Sequence, residues 1–288
     1  MNVAKKIQIL IIFLLLWSTF CWCSPNMQNI QNTTFERKNS LGQKQNVTLK
    51  SFSISKKMVT LQEWSAYLKS SKKDNIRWQN EVLSSLDDYS IKQVQTEWPA
   101  WEISWIEAIE YCNWLSKQEN LQPCYIIVPD KNTEWKVEWK REANGYRLPT
   151  LAEWQLVSEI FSPKFTKEKV LATNWLYENS KLSAPHKVGE LPPNSFGLYD
   201  IFGNIKEFCW DYYNPDAKWS DSVTDPLGPV DFIPDPDEVY YKVLLHETRV
   251  VVGGIWGMKI QYLLEHPISS VVSVSKEFIG IRVVRNSN

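Results

Sequence analysis

The chain has 288 residues, with 32 Lys and Arg against 33 Asp and Glu, so its formal net charge is −1. This balance excludes the strongly basic class of nucleic-acid-binding proteins and gives no attraction to anionic membranes. The chain holds 15 tryptophans beside 10 glycines, which predicts a core of large flat side chains whose N–H groups need partners.

The beginning of the chain has the pattern of an export signal. Two lysines precede the apolar run IQILIIFLLLWSTFCWC, which ends at a Ser-Pro pair. This order predicts a signal peptide over residues 1–24 and an extracytoplasmic protein, in the periplasm, at the cell surface or secreted. Two alternatives stay open. One is an uncleaved membrane anchor; the other is lipidation of Cys21 or Cys23, which the bulky residue before each cysteine disfavours.

Residues 25–47 are polar and rich in Asn, Gln and Ser, which predicts a flexible linker. The folded domain is then expected over residues 48–288. It opens with VTLKSFSISK, whose alternation of apolar and polar residues indicates a strand.

Three helix starts follow with the same local chemistry. Thr60, Ser104 and Thr150 each precede a Glu by three residues, the spacing of a capping box. Behind the second start, apolar residues recur at helical spacing and include Cys112, so this cysteine is expected in the core. After residue 163 turn-forming residues take over between short strands, which predicts one α+β domain with long loops and not a doubly wound sheet.

Cys112, Cys124 and Cys209 are the cysteines beyond the leader. In an oxidising compartment they predict either a Cys112–Cys124 disulfide with one free thiol or three buried thiols. The sequence has no C-x-x-C pair and its histidines are far apart, so a zinc site has little support.

The stretch GLYDIFGNIKEFCWD places Asp200 and Glu207 seven residues apart around a Gly-Asn pair. Two interpretations compete on spacing alone. Either the stretch is a turn with two solvated acids, or its carboxylates and carbonyls surround a hard cation such as calcium, which accepts six to eight oxygens in loose geometry.

Six phrases together resemble the formylglycine-generating enzyme, or sulfatase-modifying factor, family. They are ISWIEAIEYCNWLSKQENLQPCYII, ANGYRLPTLAEWQLVSE, VGELPPNSFGLYDIFGNIKEFCWDYY, DPLGP, RVVVGGIW and GIRVV. The resemblance covers roughly residues 48–285. It implies a single compact domain of low regular secondary structure, related to the C-type lectin fold.

The resemblance also implies ligands for calcium: the Asp200 side chain, the Gly203 and Ile205 carbonyls, and Glu207. A second calcium site of the family is expected near Asn174, but the stretch that follows offers no obvious carboxylate to complete it. One calcium ion is therefore the expected cofactor.

The family's enzymes hold copper between two cysteines after a glycine turn, because soft thiolates select Cu(I). The resemblance puts those two positions at Met258 and Leu263, and leucine cannot bind metal. Copper and catalysis are therefore not expected, and we predict a non-catalytic exported binding or structural module. Two alternatives stay open: a formylglycine-generating oxidase with atypical ligands, and a lectin-like carbohydrate binder.

The expected partner is a protein or a glycan, with no nucleic acid, and the N-terminal segment allows membrane attachment. Candidate contact residues are aromatic and lie on predicted loops. They are Tyr212, Tyr213, Trp219 and the segment VDFIPDPDEVYY at 230–241.

Overall fold

The protein is described from a computed structural model. The structure describes residues 24–38, 43–130, 134–163, 165–181, 183–212, 220–227, 248–265, 268–272 and 278–287.

Short strands and short helices alternate along the chain. The strands are β1 Met27–Ile30, β2 Thr33–Lys38, β3 Lys44–Leu49, β4 Phe52–Ser55, β5 Tyr125–Asp130, β6 Glu134–Trp139, β7 Tyr146–Arg147, β8 Lys206–Tyr212, β9 Ser222–Thr224, β10 Thr248–Val252, β11 Ile268–Val272, β12 Ile279–Gly280 and β13 Val284–Asn286. The helices are α1 Leu61–Ser70, α2 Asn75–Ser84, α3 Asp88–Ile91, α4 Trp105–Gln118, α5 Leu151–Ser158, α6 Lys167–Thr173 and α7 Ile260–Glu265.

Two four-stranded sheets organise the domain. One has the order β1-β4-β13-β7 and the other β11-β10-β8-β12. In the second sheet β12 runs parallel to β8 and pairs Gly280 with Glu207. This pairing places β12 beside the turn over residues 200–207, which we call the acidic bend. The described residues also form a three-stranded sheet, β2-β3-β9, and the β5-β6 hairpin. The α+β prediction is confirmed.

The prediction of a flexible linker over residues 25–47 is wrong. β1 pairs antiparallel with β4, and β2 pairs antiparallel with β3. Although the segment is mostly polar, it contains buried positions among exposed ones: Ile30, Arg37 and Val47 are 5%, 2% and 0% exposed. These strands bury one face and leave the other in water, so a mostly polar sequence still forms sheet.

The three predicted capping boxes are confirmed. In each, the Glu side chain accepts a hydrogen bond from the backbone N–H of the capping residue, at 2.7 Å for Thr60 and 2.8 Å for Ser104 and Thr150. Each box satisfies an N–H group that would otherwise have no intrahelical partner.

The core is rich in indole rings, as the composition predicts. Trp64, Trp101, Trp105 and Trp154 are each at most 1% exposed. Cys112 is fully buried among them, so its assignment to the core is confirmed. None of the helices in the described part of the chain has the length and apolar character needed to span a bilayer.

Candidate functional site

The acidic bend immediately before β8 is built from left-handed backbone. Asp200 (φ 53°), Gly203 (φ 65°) and Asn204 (φ 55°) all have positive φ, which costs a non-glycine residue about 1 kcal/mol or more. The Gly203 N–H donates to the Gly253 carbonyl at 2.6 Å, and the Asn204 N–H donates to the Trp175 carbonyl at 2.9 Å. Two distant segments therefore hold the bend in this conformation.

Glu207, on β8, forms a buried ion pair with Arg282. Glu207 Oε1 accepts from Arg282 Nη2 at 2.8 Å, and the two side chains are 1% and 0% exposed. Arg282 also donates to the carbonyls of Ser55 at 2.9 Å and Tyr199 at 2.7 Å. Burial raises the pKa of Glu207, and the Arg282 charge opposes that rise. The interpretation of Glu207 as a solvated acid is therefore wrong.

Asp200 is also buried, at 1% exposed. Its Oδ2 accepts from the Gly189 N–H at 2.7 Å, whereas its Oδ1 has no hydrogen-bond partner among the described residues. Burial raises the pKa of Asp200 to about 6, against the opposing charges of Arg282 and Lys57. An unpartnered buried carboxylate oxygen costs free energy unless a cation or a donor meets it.

Of the four predicted calcium ligands, Asp200, Gly203, Ile205 and Glu207, the two carboxylates are both buried, at 1% exposed each. The Ile205 carbonyl oxygen lies 3.8 Å from the point where a Cβ on Gly253 would stand. In the described ranges, no group of three or more His, Cys, Asp or Glu side chains is arranged to hold a metal ion. The Asp200 oxygen suits a hard cation, while Glu207 already has a cationic partner, and the calcium site stays a prediction.

Asn174, the first residue of the second expected calcium site, already forms hydrogen bonds within the protein. Asn174 Oδ1 accepts from the Phe202 N–H at 2.8 Å, and its Nδ2 donates to the Val170 carbonyl at 2.9 Å. Beside it, Trp175 stacks on His186 with ring centroids 3.9 Å apart. Asn174 thus joins the α6 segment to the acidic bend.

The two positions that correspond to copper-binding cysteines lie side by side. A Cβ on Gly254 would stand 2.8 Å from Met258 Sδ and 3.1 Å from Leu263 Cδ1. Gly254 has a φ of 82°, and Leu263 is fully buried. The pair presents one neutral thioether and one hydrocarbon, so it lacks the anionic sulfurs that hold Cu(I).

The cysteines do not replace that pair. Cys112, Cys124 and Cys209 are free thiols, so of the two sequence interpretations the structure has three buried thiols and no disulfide. Burial raises the pKa of Cys124 to about 11 and those of Cys112 and Cys209 well above the ordinary thiol value. Thiols in such surroundings stay protonated at neutral pH and are inert.

An exposed aromatic surface lies next to Met258. The Tyr177 N–H donates to the Met258 carbonyl at 3.1 Å, and Lys259 Nζ lies 5.7 Å from the Tyr177 ring centroid. Tyr177 is 60% exposed, Tyr262 54% and Leu264 39%. Lys259 immediately precedes α7, and Tyr262 lies within that helix. We call Tyr177, Met258, Lys259, Tyr262 and Leu264 together the α7 surface.

Only one of the contact residues expected from the sequence is described. Tyr212 is 41% exposed, and one face of its ring is covered by Arg249, whose Cζ lies 3.5 Å from the ring centroid. Tyr213, Trp219 and the segment 230–241 lie outside the described residues.

Sequence reasoning missed the role of Arg282. The phrase GIRVV marks the residue, but its partner Glu207 is 75 positions away. A signal was available, because a carboxylate on a central, buried strand needs a cation or several donors.

These features define a class of protein: a single α+β domain of small sheets in which one tight acidic bend is tied to the C-terminal strands by a buried ion pair. The family model of the sulfatase-modifying factor enzyme 1-like domain matches residues 24–287. The chain belongs to this family, and the match includes the segment that the linker prediction left out.

The proteins that are similar to this chain in sequence are named as different kinds of protein. The chaperone protein LppX of Paenibacillus barcinonensis is 29% identical over 232 residues, which cover 68% of this chain and 76% of LppX. The formylglycine-generating enzyme of Bos taurus is 26% identical over 139 residues, which cover 46% of this chain and 31% of the enzyme. This chain therefore spans most of LppX but less than a third of the bovine enzyme.

Solved structures share the fold over nearly the whole chain. Treponema denticola variable protein 1 matches with a TM-score of 0.69 and 25% identity, covering 91% of this chain and 95% of that one. PvdO from Pseudomonas aeruginosa matches with a TM-score of 0.61 and 20% identity, covering 91% and 95%.

Proposed function

We propose that this protein is an exported, non-catalytic member of the sulfatase-modifying factor family that binds a protein partner. The observation that carries the proposal is the pairing of Met258 with Leu263 at Gly254, because the scaffold keeps the two positions together while neither side chain can supply a thiolate. The apolar leader over residues 1–24 supports export.

A protein partner is favoured over a glycan by two observations. LppX, which covers most of this chain, is named a chaperone. The α7 surface exposes Tyr177, Tyr262 and Leu264, and exposed tyrosines on loops and short helices are common anchors of protein interfaces.

Copper binding tests the proposal. Anaerobic titration of the wild type with Cu(I) is expected to give no thiolate-to-copper absorption. Met258→Cys combined with Leu263→Cys is expected to bind about one equivalent, because both side chains already converge on Gly254. The double variant is the positive control, since it restores the two thiolates in place.

Stoichiometric copper uptake by the wild type, lost in Met258→Ala, would favour the oxidase instead. So would conversion of a sulfatase cysteine peptide in air by the wild-type protein.

We also propose that the acidic bend takes up one calcium ion through Asp200, the Gly203 and Ile205 carbonyls, and Glu207. The unpartnered Oδ1 of Asp200 supports this assignment. Bound calcium would supply positive charge to the carboxylates of Asp200 and Glu207 and would stabilise the bend. It has no catalytic role in this proposal.

Calcium should therefore stabilise the wild type and not Asp200→Asn. At free calcium about 100 times the Kd, linkage predicts about 2.7 kcal/mol of added stability. The measurement is thermal unfolding in calcium and in EGTA, with Asp221→Asn, at an exposed position, as the matched control. If the wild-type melting curves superimpose in calcium and EGTA, the calcium site is contradicted. The result of the copper titration does not depend on this outcome.

A further inference from the structure

A cleft of about 400 Å³ opens on the side of the domain where β1 begins. It lies between the segment that enters β1, the connection from β4 to α1, and the start of the acidic bend. Its lining includes Pro25, Asn26, Lys57, Met58, Thr60 and Tyr199. The volume is within the range of small-molecule sites, which combine apolar walls with a few placed polar groups.

Lys57 is an exposed residue that lines this cleft. A Cβ on Gly189 would stand 2.8 Å from Lys57 Nζ, so the lysine lies on a residue whose missing side chain makes room for it. Gly189 has a φ of 71°, where other residues are strained. On its other side, Lys57 Nζ lies 5.4 Å from the Tyr199 ring centroid. The exposed Lys57 side chain thus lies near a backbone turn and an aromatic ring.

The Lys57 charge acts on two carboxylates, since it opposes the rise in pKa that burial causes at Glu63 and at Asp200. Within the described residues, no carboxylate forms an ion pair with Lys57. The carboxylate of Glu63, which also lines the cleft, accepts from the Thr60 N–H and hydroxyl at 2.7 Å each. A second ammonium, that of Lys56, borders the same space. The cleft therefore offers positive charge beside an apolar wall of Pro25 and Met58.

We propose that this cleft binds a small organic anion. The carboxylate or phosphate group of the ligand would pair with the Lys57 ammonium, and its apolar body would lie against Pro25 and Met58. The exposed side chain of Asn26 offers a hydrogen bond at the rim. The site is separate from the α7 surface and does not depend on the proposed protein partner.

Three probes of equal ring size test the proposal on the ¹⁵N-labelled mature protein: sodium benzoate, phenyl phosphate and benzyl alcohol. Both anions are expected to shift the backbone amides of residues 55–60 and of Tyr199 along saturable curves. Benzyl alcohol, which has no charge, should bind at least about tenfold more weakly. The stronger of the two anions identifies the acid group that the site prefers.

Variants separate the site from general anion binding. Lys57→Met keeps the apolar stem and should weaken the anions at least about tenfold, whereas Lys57→Arg should keep most of the binding. Lys136→Met is the matched control, because Lys136 lies on the β5-β6 hairpin and should leave binding unchanged. Melting temperatures of all variants confirm that they fold.

The proposal is overturned if neither anion gives saturable shifts at residues 55–60, or if benzyl alcohol binds as tightly as benzoate in the wild type. Equal anion affinity in Lys57→Met and Lys136→Met overturns it as well. The comparison of probes needs only the wild type, so it decides the matter even if a variant fails to fold.

Discussion

Arg282→Met is expected to lower the free energy of unfolding by about 3–5 kcal/mol. The substitution leaves the carboxylate of Glu207 without its cation at a position that is 1% exposed, and it removes the donors that bond the carbonyls of Ser55 and Tyr199. A buried charge without a partner costs far more than the ion pair itself contributes.

Urea unfolding measures this loss. Lys44→Met is the matched control, because its pair with Glu36 is 61% and 46% exposed and such a pair contributes at most about 1 kcal/mol. Adding Glu207→Gln to Arg282→Met should recover part of the loss, since the uncompensated charge disappears. If Arg282→Met and Lys44→Met lose equal stability, the ion pair does not hold the bend.

Features that depend on neighbours in sequence could be predicted. The capping boxes at Thr60, Ser104 and Thr150 each involve residues three apart, so their chemistry is complete within one helical turn. Cys112 was correctly placed in the core because helical periodicity alone decides which face of α4 is buried. The α+β class follows in the same way from the helix starts and short strands along the chain, while the resemblance of the six phrases implies the particular fold.

Features that depend on distant partners were missed. The strand β1 becomes ordered because β4, about 25 residues later, offers it an edge, and its own composition carries no such information. The resemblance makes Glu207 a candidate calcium ligand, but it does not reveal the ion pair of Glu207 with Arg282, which lies 75 positions further along the chain. Charges on buried strands are compensated in three dimensions, so sequence spacing identified the candidate residues but not their partners.

Met258 and Leu263 show what spacing can establish. The alignment of positions after the glycine pair predicted where two ligands would stand in a copper-binding relative, and the structure brings those side chains together at Gly254. The two side chains therefore lie close together, although neither carries a thiolate. Because the two side chains lie together, the double variant Met258→Cys, Leu263→Cys tests directly whether the missing thiolates explain the proposed absence of copper binding.

Gly203→Ala is expected to lower the free energy of unfolding by about 2–5 kcal/mol. The residue has a φ of 65°, and a Cβ there would overlap the carbonyl of Trp175. That carbonyl is backbone and accepts the Asn204 N–H at 2.9 Å, so it cannot move aside without breaking the bond that closes the bend. The strain and the displaced backbone act together on the segment that carries Asp200.

Gly257→Ala is the matched control, because a Cβ at Gly257 would meet no atom within 4 Å. It should change stability by no more than about 0.5 kcal/mol. Urea unfolding compares the two variants with the wild type, and calcium-dependent melting of Gly203→Ala then reports whether the bend must keep its shape for the proposed cation. A Gly203→Ala protein as stable as Gly257→Ala would mean that the bend relaxes freely, and the left-handed backbone would not be what joins Trp175 to the acidic residues.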